Sequence, residues 1–335
     1  MRQPPKIVEF EITTACNLRC IHCYCMAGKR DPNELTTYEV KKLMSDLKKL
    51  GIRAFDIVGG EPFIRQDIFE VLSYGREIGL QIMVNTNGTL VDEEVVEKLK
   101  ESNPDVMIGV SLDGSAPELN DFVRGKGSFE KATRGIKLFV EGGFDPVILH
   151  VINKMNWKHF ESMIDLAKSL GVKKLYVDRF IPVGRGVQNK KYLDMDDKEW
   201  VEAIEHVRSV IEKYEDEITF YIEENITGDP CTAGKSHASI LVDGNVVPCG
   251  HFRYNKELYM GNVRENPFSE IWNSYDPEKE LPIPKSCSNC PLIEDCYGGC
   301  RAASLHRYGS FEKQDVPLCY IRKGEGGFSL KSWGW

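Results

Sequence analysis

Short apolar runs alternate with amphipathic stretches over the first two thirds of the chain. The runs at residues 7–13, 54–58, 81–85, 106–111, 147–151 and 174–177 are rich in β-branched and aromatic side chains and read as strands. Between them, residues 37–50, 67–78, 92–101, 129–141 and 157–170 carry apolar side chains at helical spacing. Several of these helices stop at a glycine, as at Gly51, Gly79 and Gly171, the residue that most easily takes the left-handed turn at a helix end. Successive β–α units predict an α/β chain built on a parallel sheet. The pattern alone does not separate a partial barrel from a flat doubly wound sheet.

After Phe180 the connector Ile181-Pro182-Val183-Gly184-Arg185-Gly186 leads to a helical stretch at 196–214. The division expected is a first domain over 1–215, a connector over 216–230, a cysteine-rich domain over 231–320 and an aromatic tail over 321–335. That tail ends Gly-Gly-Phe-Ser-Leu-Lys-Ser-Trp-Gly-Trp and reads as a strap over the body or as a plug in a site mouth.

The length of 335 residues suffices for one large and one smaller domain. A formal net charge of −8 argues against a nucleic-acid backbone as partner, because that partner wants a basic face. No stretch is long and apolar enough to span a bilayer, so no membrane is expected. The start, Met-Arg-Gln-Pro-Pro-Lys, lacks the apolar segment of a secretion signal, and a cytoplasmic address is expected. The 11 cysteines then read as thiols or metal ligands and not as a disulfide framework. They fall in two tight groups, Cys16–Cys25 and Cys231–Cys319, as ligand sets do.

Cys16, Cys20 and Cys23 form a Cys-x3-Cys-x2-Cys run directly after the first strand. Three thiolates on one loop can hold three corners of an iron–sulfur cube and leave one iron open for a substrate or cofactor. A zinc knuckle is the alternative, with His22 as fourth ligand and Cys25 as a spare.

This loop, with His22 before the last cysteine and Tyr24 after it, resembles the signature of radical S-adenosylmethionine (SAM) enzymes. The resemblance continues in order. Gly59-Gly60-Glu61-Pro62 resembles the glycine-rich turn that receives the methionine amino group. Thr86-Asn87-Gly88 and Ser111-Leu112-Asp113-Gly114 sit at the third and fourth strand ends, and Asp121-x2-Arg124-Gly125 resembles the segment that approaches the methionine carboxylate. The resemblance implies a partial (β/α)6 TIM-like barrel, with all these segments at the mouth formed by the C-terminal ends of the strands. It makes Asp113 a candidate ribose ligand and implies cofactor contacts from His22, Gly59, Gly60, Glu61, Pro62, Asn87, Ser111, Asp113, Arg124 and Asn153. Substrate contacts are expected from His150, Asn153, Tyr176, Asp178 and Arg179 near the fifth and sixth strands.

The second group reads Cys231, Gly244-x4-Cys249, Cys287-x2-Cys290-x5-Cys296-x3-Cys300 and Cys319. It resembles the seven-cysteine SPASM domain, which carries auxiliary clusters; a pair of zinc sites is the alternative. The resemblance implies three 4Fe–4S clusters in all. One set is Cys231, Cys249 and Cys300; the other is Cys287, Cys290, Cys296 and Cys319. The first set lacks a thiolate, and Glu223, Glu224, Asn225 and Asp229 lie where relatives carry one.

The function implied is an oxygen-sensitive oxidoreductase or maturase. It would cleave SAM reductively to a 5′-deoxyadenosyl radical and take hydrogen from a peptide or peptidyl substrate, in cross-linking or oxidation; the partner is a peptide or small-molecule substrate. Tetrapyrrole side-chain modification is the alternative, and an electron carrier without radical chemistry the alternative of another class. A ferredoxin- or flavodoxin-type donor is implied as partner. No recognition domain is expected before Ile7, which weakens the peptide reading unless a separate peptide-recognition protein supplies that function.

Overall fold

In the computed structural model, which describes residues 2–324, seven parallel strands run in chain order. They are β1 (Ile7–Thr13), β2 (Ala54–Gly59), β3 (Gln81–Thr86), β4 (Met107–Ser111), β5 (Val147–Ile152), β6 (Lys174–Arg179) and β7 (Thr219–Ile222). The helices between them are α1 (Thr37–Lys49), α2 (Ile68–Glu77), α3 (Glu93–Ser102), α4 (Pro117–Arg124), α5 (Ser128–Glu141), α6 (Phe160–Ser169), α7 (Arg185–Gln188), α8 (Lys190–Leu193) and α9 (Asp197–Tyr214). The architecture is a partial TIM-like barrel with a C-terminal cysteine-rich domain. Capping boxes fix the starts of α1 (Thr36 with Glu39) and α9 (Asp196 with Glu199).

Two features depart from the expected division. Residues 219–222, assigned to a connector, form β7 and pair with β6. The cysteine-rich domain also joins the same sheet, because β8 (Ser239–Ile240) pairs parallel with β1 and β9 (Asn245–Val247) follows antiparallel, then β10 (Gly261–Asn262). A buried ion pair locks the two parts: Arg179 on β6 binds Asp315, and both side chains are almost wholly buried. The expected strap or plug over 326–335 lies outside the described residues.

The strands have an apolar face and a polar one. Val8, Phe10 and Ile12 of β1 are buried in the apolar core, where Phe10 stacks on Phe55 at 5.2 Å between ring centroids. The opposite, concave face carries Glu9, Glu11, Asp56, Asn85, Ser111, Tyr176 and Asp178, polar groups at alternate positions. His150 and Arg179 fall on the helix side: the His150 ring lies against Phe160 of α6, and Arg179 sits over Trp200 of α9. Strand alternation thus turns both away from the barrel interior, which corrects their expected contact with substrate. Tyr176 and Asp178 do face inward.

Candidate active site

The cysteine loop leaves β1 at Thr13 and is clamped from four sides. The Glu34 carboxylate accepts from the Thr13 hydroxyl and the Thr14 N–H, both at 2.8 Å. Arg185 donates to the carbonyls of Cys20 (2.8 Å) and Ala27 (2.9 Å), so the first residue of α7 holds the loop's far side. Ile21 N–H bonds Val123 O on α4 at 2.8 Å. Gly60 and Glu61 N–H groups bond Thr13 and Ala15 carbonyls at 2.7 and 2.8 Å. A Cβ on Gly60 would stand 2.0 Å from Ala15 O, so this glycine is required by backbone packing against the loop. Close approach to the loop is therefore a physical reason for the double glycine beside the expected approach to a ligand.

Cys20 is buried, while Cys16 and Cys23 keep accessible surface. Burial pushes the Cys20 thiol up to about 11. Cys23 is held down to about 6, chiefly by its contact with Cys25 at 3.5 Å. Cys25 itself is buried, and its thiol lies 3.4 Å from Gly59 O. His22 places its Nε2 3.2 Å from Asp113 Oδ2. No three His, Cys, Asp or Glu side chains among the described residues close to single-ion geometry. Soft thiolates held apart on one loop fit a cube, whose irons take one protein ligand each.

Beside the loop lies a buried polar group built on β4. Asp113 is wholly buried, and its Oδ2 is met by the Arg124 and His22 side chains but by no hydrogen-bond donor of good geometry among the described residues. Its N–H bonds Asn120 Oδ1, its Oδ1 accepts from Val151 N–H, and its Oδ2 meets Arg124 Nε at 2.7 Å. Burial would raise the Asp113 carboxyl, but Arg124 and His22 overcome it and hold it below the ordinary range. In this arrangement Asp113 contacts both His22 and Arg124, the expected cofactor-side residues. Burial also lowers His22 to about 4, and its buried Nδ1 has no partner among the described residues. An orphaned ring nitrogen beside an arginine fits a polar, carboxylate-bearing cofactor.

Glu61 accepts from the Thr86 hydroxyl (2.7 Å), Asn87 N–H (2.8 Å) and Phe63 N–H (3.2 Å), and burial raises it to about 7. Three bonds leave this carboxylate one accepting position. Pro62 opens the 3-10 turn Pro62–Ile64 that Glu61 caps. Asn87 donates to Asn17 Oδ1 at 2.9 Å and so steadies the cysteine loop. Asn153 satisfies its own turn, with Nδ2 on Val151 O and Oδ1 taking Met155 N–H. Its neighbour Asn156, absent from the expected set, donates to Asp113 O and Val151 O at 2.9 Å each. Backbone partners of this kind leave no sequence motif.

The other cysteines lie beyond β7. Cys231, Cys249 and Cys300 all pack against one apolar group that includes Ile181, Val183 and Phe252. Asp315, which precedes the helix carrying Cys319, bonds Gly298 between Cys296 and Cys300. Of the residues expected to supply a missing ligand, Asp229 pairs with Arg322 at 2.9 Å, and Asn225 donates to Asp178 at 2.6 Å. Glu223 accepts from Tyr176. His251, not anticipated, places Nδ1 3.5 Å from Cys249 Sγ.

Residues 10–167 match the model of the radical SAM superfamily, and residues 231–296 match the SPASM model, an iron–sulfur cluster-binding domain. The chain is 31% identical to the mycofactocin maturase MftC of Mycolicibacterium smegmatis, over 90% of this chain and 79% of that protein. It belongs to the radical SAM superfamily and carries a SPASM domain. It is 29% identical to an AdoMet-dependent heme synthase of Methanosarcina barkeri, over 97% of this chain and 99% of that one. The fold matches Streptococcus suis SuiB bound to S-adenosylmethionine with a TM-score of 0.77 at 21% identity, covering 95% of this chain and 77% of that one. The chain is thus a radical SAM enzyme that uses iron–sulfur clusters and SAM. No helix among the described residues is long and apolar enough to cross a membrane.

Proposed function

We propose that this enzyme takes hydrogen from a peptide or peptidyl substrate, and that Cys16, Cys20 and Cys23 hold the SAM-binding cluster. When bound, that cluster supplies the electron that cleaves SAM and yields the oxidising radical. Arg124, fixed by Asp113, offers its remaining N–H groups to the methionine carboxylate, and Glu61 offers its open position to the amino group. His22 and Ser111 complete the polar wall. Two auxiliary clusters are assigned to Cys231, Cys249 and Cys300 and to Cys287, Cys290, Cys296 and Cys319. Glu224 completes the first of these or leaves an iron open: it is the carboxylate whose charge bears most on Cys231. A low-potential ferredoxin or flavodoxin and a separate peptide-recognition protein are the proposed partners, and the cytoplasm the proposed address.

The observation that carries the peptide reading is the barrel wall. Carboxylates line the wall around β1, β2 and β6, and the Arg253 guanidinium there is already bound to Glu11. A tetrapyrrole bearing several carboxylates wants several cations and meets the opposite. A peptide offers N–H donors to such a wall. The test is anaerobic turnover with SAM and dithionite, using short peptides encoded beside the gene in one arm and iron coproporphyrin III in the other. Loss of two hydrogens from a peptide with matching 5′-deoxyadenosine supports the reading. Turnover of the porphyrin alone overturns it.

A further inference from the structure

Glu9 and Glu11 stand on the concave face of β1, between the two cysteine groups. Gly250, next to Cys249, lies so close that a Cβ there would stand 2.8 Å from Glu9 Oε1 and 3.2 Å from Tyr24 Cε2. Tyr24 is next to Cys23. One carboxylate thus touches the chain neighbours of a SAM-side cysteine and an auxiliary-side cysteine. A reacting group must sit in that interval to meet the radical on one side and lose an electron on the other.

The carboxylates there are under-partnered. Glu11 is wholly buried; Arg253 occupies its Oε1, and Oε2 has no hydrogen-bond partner among the described residues. The Ser239 and Tyr24 hydroxyls lie near Glu9 and pull its carboxyl down against burial, yet its Oε1 is buried without a hydrogen-bond partner among the described residues. Asp56 on β2 takes Asn85 Nδ2 at 2.8 Å, and Asp178 and Glu223 continue the acidic wall across β6 and the end of β7. Burial raises all five carboxyls: Glu11 to about 7, Asp56 to about 8, and Glu9, Asp178 and Glu223 upward. A buried carboxylate without a partner is costly, and a second positive charge is the group that would relieve it.

We propose that this chamber takes a cationic group, the ammonium or guanidinium of a lysine or arginine in the substrate peptide, held by Glu9 and Glu11. This rests on the peptide reading above and narrows it. Asp56, one strand away, receives the same cation at longer range. Arg253 keeps Glu11 in place, so Glu9 supplies most of the discrimination.

The test is binding to the cluster-loaded, SAM-bound enzyme under anaerobic conditions. The probes are N-acetyl-lysine methylamide, N-acetyl-arginine methylamide, the uncharged N-acetyl-norleucine methylamide and iron coproporphyrin III. A cationic probe binds about tenfold or more tighter than norleucine, a ratio set by one charge contact. Glu9→Gln reduces that ratio severalfold while iron content and SAM affinity stay unchanged, and Glu9→Asp retains part of it. Equal binding of the cationic and norleucine probes, or no binding by either cationic probe, overturns the cation assignment. Tighter binding of the porphyrin than of every capped amino acid overturns the peptide reading as well.

Discussion

Asp113 and Arg124 meet at 2.7 Å with almost no exposed surface, so neither can be changed alone without leaving a buried charge. Arg124→Ala is expected to lower SAM affinity about tenfold or more and to cost about 3 kcal/mol of stability, with iron content unchanged. Equilibrium binding of SAM and iron analysis check both halves; unchanged SAM affinity would place Arg124 outside the cofactor site. The motifs marked Glu61 just after β2, Ser111 at the end of β4 and Arg124 at the end of α4 as candidates for the cofactor site. They did not show that Asp113 is occupied by His22 and Arg124, since that depends on how deeply it is buried. The motifs gave no sign of Glu9 and Glu11, which alternate with Val8, Phe10 and Ile12 along β1. Which face looks into a chamber became clear only once the barrel placed helices on the other.

At the scale of elements, β2 ends against the cysteine loop through two glycines with different neighbours from the rest. Gly60→Ala pushes a methyl group into Ala15 O and is expected to remove about a third of the iron and abolish SAM cleavage. Gly51→Ala, with φ +84 but nothing within 4 Å, is expected to cost only about 1 kcal/mol of backbone strain and keep full iron. Equal iron content in the two variants would separate this turn from the cluster. The six apolar runs and five amphipathic stretches marked from periodicity appear in the structure with ends within two residues, except that α6 starts three residues late, after a 3-10 turn over residues 157–159. The eight-residue α4 was missed because Pro117 and the motif residues around it read as turn. The strand β7 was missed because its four residues follow a long helix without a strand-length apolar run. Pairing of Ser239 with Glu9 spans most of the chain, and no local pattern announces it.

For the molecule as a whole, the acidic interior ties stability to pH. An unfolded Asp56 takes the ordinary value near 3.8, whereas burial raises the folded one to about 8, so the folded state binds the extra proton between them. Its contribution is complete below the lower value and is lost as pH rises through the upper one. Between pH 6.5 and 8.5 the urea midpoint of reduced, cluster-free protein should fall, and Asp56→Asn should lessen that fall. An unaltered slope in the variant would mean that Asp56 is ionised throughout. The Arg179–Asp315 pair joins barrel and SPASM domain, and Arg179→Ala should cost about 3–5 kcal/mol, seen as an earlier midpoint in the same titration. The most direct test of the account is iron and SAM cleavage in protein reconstituted anaerobically, compared with its Cys16/Cys20/Cys23→Ala triple variant. The account expects about twelve irons per chain falling to about eight, from three four-iron cubes to two, with SAM cleavage abolished and the auxiliary spectrum retained. Stoichiometric zinc with little iron, or SAM cleavage that survives the triple substitution, would contradict it.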